Sequence, residues 1–94
     1  MALDEYLRVT ISKKISEILP VILKNAKEKP FDKTTWNYQS YDDFIYGQIV
    51  GFLNGYLAGI VTTLYGINLG PEIFGEIHQI TENYLKEIKN NLSK

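Results

Sequence analysis

Ninety-four residues suit a single domain with one core, and a chain that is 45% hydrophobic and 22% charged is expected to fold. A formal net charge of −1 leaves no basic footprint for nucleic acid. The absence of cysteine excludes disulfides, thiolate metal sites and a cysteine nucleophile, and points to the cytoplasm.

The chain opens MALDEYLR, acidic within its first five residues. A secretory signal needs a basic start and then an apolar run, so none is expected. Leu3, Leu7, Ile11, Ile15, Ile18, Ile22 and Ala26 then recur at steps of three and four, the stripe of an amphipathic helix over about 3–28. Asp4 with Arg8 and Lys13 with Glu17 are opposite charges four apart, suited to its outer side. Pro20 deprives the Ser16 carbonyl of its helical donor and crowds that turn. The stripe keeps its phase across Pro20, so the expectation is one kinked helix that Pro30 brings to an end.

Residues 30–39, PFDKTTWNYQ, show no helical period and read as a loop. Its aromatic side chains Phe31, Trp36 and Tyr38, with Tyr41 beyond, are expected to fold back and plug the end of a bundle. Docking of another protein is the alternative role for these four. Ser40 with Asp43 three residues later resembles a capping box, which starts a second helix over about 41–64. Asp42 and Asp43 suit the positive end of its dipole. Tyr65-Gly66 breaks the pattern, Gly66 being a plausible left-handed stop. Pro71 suits the first turn of a third helix over about 71–92, its core stripe being Ile73, Ile77, Ile80, Tyr84, Ile88 and Leu92. Glu82 and Lys86 pair on its outer side.

The second helix is unusual. Residues 44–69 contain no charged side chain, and Gly47, Gly51, Gly55 and Gly59 fall four apart within that run. Steps of four drift by about 40° on a helix, so these glycines share one broad face, with Ala58 and Thr62 beside them. Ile49, Val50, Leu53, Leu57, Ile60, Val61 and Leu64 take the other. Each mid-helix glycine costs about 1 kcal/mol relative to alanine, a loss that close backbone approach by another helix would offset. A helix apolar all round has to be buried all round, and two single-stripe helices do not enclose it. A second copy is therefore expected, most simply about a two-fold axis. Gly47, Gly51, Asn54, Gly55, Ala58, Gly59 and Thr62 form the candidate interface. Asn54, at its edge, would fix register between subunits or be satisfied locally. The run is long enough to span a membrane, but Gln48, Asn54, two threonines, three tyrosines and acidic flanks without nearby Lys or Arg argue against that.

Chemistry-bearing patterns are sparse. His78 is the only histidine, which excludes a multi-histidine metal site within one chain. His78 with Glu82 would need a subunit junction to complete a metal site. Glu72 and Glu76 share a face, but a Mg²⁺ site on the pattern of small all-α nucleotide pyrophosphohydrolases needs carboxylates along two helices, and the second helix has none after Asp43. Glu72 and Glu76 would repel phosphate on a DNA recognition helix, and the glycines lack the Gly-Lys-Ser/Thr ending of a phosphate loop. The resulting expectation is an all-α, three-helix protomer in a helical-bundle homodimer, a non-enzymatic interaction or regulatory module without metal or cofactor, partnered by itself and by another protein. Its alternative is an enzyme or ligand binder with a site at the subunit seam using Tyr46, Gln48, Asn54, Asp43 and Glu76.

Overall fold

The structure is a computed structural model that describes residues 3–92. Among the described residues every regular element is helical: α1 (Glu5–Lys27), α2 (Lys33–Trp36), α3 (Tyr41–Thr63), α4 (Pro71–Glu82) and α5 (Leu85–Leu92). The first two long helices fall where hydrophobic period and caps place them. Two differences are instructive. The loop after α1 holds the single turn α2, whose start is capped by Asp32 accepting from the Thr35 amide at 2.9 Å. The third expected helix is two, because the chain tightens at Asn83 and Tyr84, whose amides bond carbonyls three residues back.

Local chemistry explains the boundaries. The Asp4 carboxylate accepts from the Leu7 amide at 2.7 Å and caps α1, so Asp4 is not the partner of Arg8. α1 runs unbroken through Pro20, which lies on its exposed side, where water reaches the carbonyl the proline leaves without a donor. Ser40 caps α3 through the Asp43 amide at 3.3 Å. Gly66, at φ 62°, takes the left-handed conformation that ends the second helical segment, and Pro71 stands in the first turn of α4.

Buried side chains at steps of four carry α1: Leu3, Leu7, Ile11, Ile15, Leu19 and Leu23, ending at Ala26. The stripe thus continues through Leu19 and Leu23, whereas Ile18 and Ile22 are only half-buried beside it. From α3 come Ile45, Ile49, Leu53, Leu57 and Val61, and from α4 and α5 come Ile73, Ile77, Ile80 and Ile88. Leu64, beyond the last turn of α3, is 70% exposed and stands outside the core.

Three long-range hydrogen bonds fix the topology. The Tyr41 hydroxyl donates to the Ala26 carbonyl at 2.7 Å, so the end of α1 meets the start of α3 and the two run antiparallel. Tyr84 donates to the Ser12 carbonyl at 3.1 Å, and the Leu3 amide donates to Glu76 at 2.9 Å, so α4 and α5 return alongside α1. The molecule measures 41 × 23 × 18 Å. Its short dimension accommodates two layers of helices with axes about 10 Å apart, so among the described residues no third layer covers α3.

Candidate functional site

The face of α3 turned away from the core carries the candidate site. Gly47, Gly51, Gly55 and Gly59 are all exposed along it, as is Thr62, while Ala58 is half-buried. A Cβ built on any of the four glycines would meet nothing within 4 Å. No neighbour among the described residues therefore requires glycine at these positions, and none offsets the loss in helix propensity. Thr62 turns its hydroxyl back to the Ala58 carbonyl at 2.9 Å, so its outward surface is mainly its methyl group. The result is a smooth ridge of backbone without charge, about three turns long.

The flank toward α1 is a groove of about 300 Å³ walled by Ile18, Val21 and Ile22 of α1, Phe31 of the loop, and Gln48 and Phe52 of α3. Phe52 is 51% exposed and stacks on Tyr56 with ring centroids 6.0 Å apart, forming the rim between groove and ridge. The sequence hints at this groove only through Ile18 and Ile22, which sit beside the α1 stripe. Val21 and Phe52 carry no periodic signal that marks them as exposed.

The flank toward α4 includes one side-chain hydrogen bond beside the apolar core. Thr81, 2% exposed, donates its hydroxyl to the Asn54 carbonyl oxygen at 2.8 Å. Asn54 is thus satisfied inside its own chain, at the edge of the glycine face, one of the two roles expected for it.

The aromatic residues form one cluster around a ring the sequence pattern did not single out, Phe44. Phe31 packs edge-on against Trp36 at 4.9 Å and against Phe44 at 5.5 Å, and Tyr38 stacks on Phe44 at 4.8 Å. Tyr38 donates its hydroxyl to the Phe31 carbonyl at 2.9 Å and packs against Tyr41. Burial, and next the nearby Tyr38 and Asp42, push the Tyr41 hydroxyl above its usual 10.0, and that hydroxyl donates to the Ala26 carbonyl. These contacts gather the rings beside the start of α3, where Phe31, Tyr38, Tyr41 and Phe44 are half-buried. Trp36 still shows 48% of its surface to solvent.

The other candidate groups lie apart. Glu76 is no bare carboxylate on an exposed face: it receives the Leu3 amide and forms an ion pair with Arg8. Asp42, Asp43 and Tyr46 line a separate surface hollow with Lys89 and Leu92. Lys89 also lies 5.1 Å from the centre of the Tyr46 ring. Of the set suggested for a seam site, Asp43 and Tyr46 share this hollow. Gln48 lines the groove toward α1, Asn54 bonds Thr81, and Glu76 pairs with Leu3 and Arg8. His78 is exposed and faces the Phe74 ring at 6.2 Å. Among the described residues no three histidine or acidic side chains gather as metal ligands. Comparison with family models, with curated proteins and with solved structures finds no match to this chain.

Proposed function

We propose that this chain is a homo-oligomeric interaction module, most simply a two-fold dimer, which associates with itself through the glycine face of α3. The observation that carries this is the pairing of four exposed mid-helix glycines with empty space over each one. Glycine at such positions weakens a helix, a loss that close approach by another backbone would offset, and no element among the described residues comes that close. Beside it α3 carries no charged residue from Phe44 to Thr63, and Phe52 and Val21 are each about half exposed at 51% and 52%. An apolar patch of this kind on a small protein marks a contact surface. A two-fold axis lets the same face serve both partners. The module has no catalytic role in this reading; it brings two copies, and whatever docks on the aromatic end around Trp36, into one assembly.

The test is substitution on the ridge. Gly51→Leu and Gly55→Leu add bulk where the partner backbone would lie, so each is expected to sediment as a monomer in plain buffer while the helical circular dichroism stays at the parent level. A parent protein that is already monomeric at high concentration, or variants that keep its oligomer, would overturn the proposal.

A second reading is favoured by one observation. α3 is long and apolar enough to cross a membrane, and only 28% of its apolar stretch is buried within the molecule. Against this stand the amphipathic helices α1, α4 and α5, whose apolar stripes use the other side of α3 as their core. Partition of the parent chain into detergent, with no soluble species in buffer, would carry that second reading.

A further inference from the structure

We draw no further inference here: the strongest candidate, the apolar groove between α1 and α3 walled by Ile18, Val21, Ile22, Phe31 and Phe52, runs into the glycine face already proposed for self-association, and nothing in the structure shows what covers it.

Discussion

Glu76 joins the two ends of the chain: one carboxylate oxygen takes the Leu3 amide and the other takes Arg8. Its side chain is 12% exposed against 34% for Arg8, so the pair is only partly screened by water. Hydrogen bonds to a charged group contribute about 1.5–3 kcal/mol, and the exposure of Arg8 argues for the lower part of that range. Glu76→Ala is accordingly expected to lower the unfolding free energy by about 1–2 kcal/mol, seen as an earlier midpoint in urea. An unchanged midpoint would show that water replaces both bonds without loss. Asp32 makes a different prediction. Its hydrogen bonds from Thr35, side chain first and then backbone, hold its carboxyl below the usual 3.8. A lowered folded-state pKa means the contribution is present above the unfolded value and disappears as pH falls through the folded one. The α2 turn should therefore hold its conformation above the usual Asp value and loosen only in stronger acid. Trp36 emission reads this directly, and the acid transition should vanish in Asp32→Asn. Persistence of the same transition in that variant would assign it to another group.

At the scale of elements, α3 is the axis on which the others are arranged, and its links to α1 and α4 differ in kind. Toward α1 the contact is an apolar seam that opens into a groove. Toward α4 it includes the Asn54–Thr81 bond, with the Thr81 hydroxyl buried. Asn54→Ala strands that hydroxyl and is expected to cost about 1–3 kcal/mol. Removing both polar groups, as Asn54→Ala with Thr81→Val, should cost less than the sum of the single changes, a positive coupling that urea unfolding of all four proteins measures. Strict additivity would mean that Thr81 finds another acceptor in its own helix. The two expected helices that the structure keeps whole owe their position to signals inside their own sequence. The third is divided at Asn83 and Tyr84, weaker helix formers than their neighbours, where Tyr84 also turns to bond Ser12 across the bundle. The single turn of α2 was legible after all in Asp32, a preferred capping residue, although four residues give too short a window for a hydrophobic period.

For the molecule as a whole, the open glycine face sets folding of the single chain against the proposed self-association. Gly51→Ala with Gly55→Ala adds two methyl groups into open space. Within one chain this should favour α3 by about 1 kcal/mol for each site. At a close helix-to-helix contact the same methyls would hold the backbones apart and weaken the oligomer. The double variant is therefore expected to lose the dependence of thermal midpoint on protein concentration that an associating parent shows. It should nevertheless melt at or above the parent when both are dilute. A variant that gains stability in dilute solution and still associates as the parent does would separate these glycines from the interface.

The residues alone determined that the chain is helical, where its long helices start, and that the second of them has no charged side, because caps, prolines and steps of three and four act within a few residues of one another. They also marked Gly47, Gly51, Gly55 and Gly59 as one face. They set the bulky side of α3, with Ile49, Leu53, Leu57 and Val61, against that glycine face, but did not determine how far each flank would be covered: Val50 and Ile60 are only half-buried and Leu64 is exposed. An amphipathic helix such as α1 declares its inward side, whereas a helix apolar all round offers neighbours several equivalent seats. Packing of α1 against one flank and α4 with α5 against the other decided that Ile45 joins the buried row and that Val50, Ile60 and Leu64 stay at or outside its edge. The pairing of Glu76 with Leu3 and Arg8 was likewise a tertiary outcome, since groups about seventy residues apart in sequence meet only once the helices have turned back on themselves.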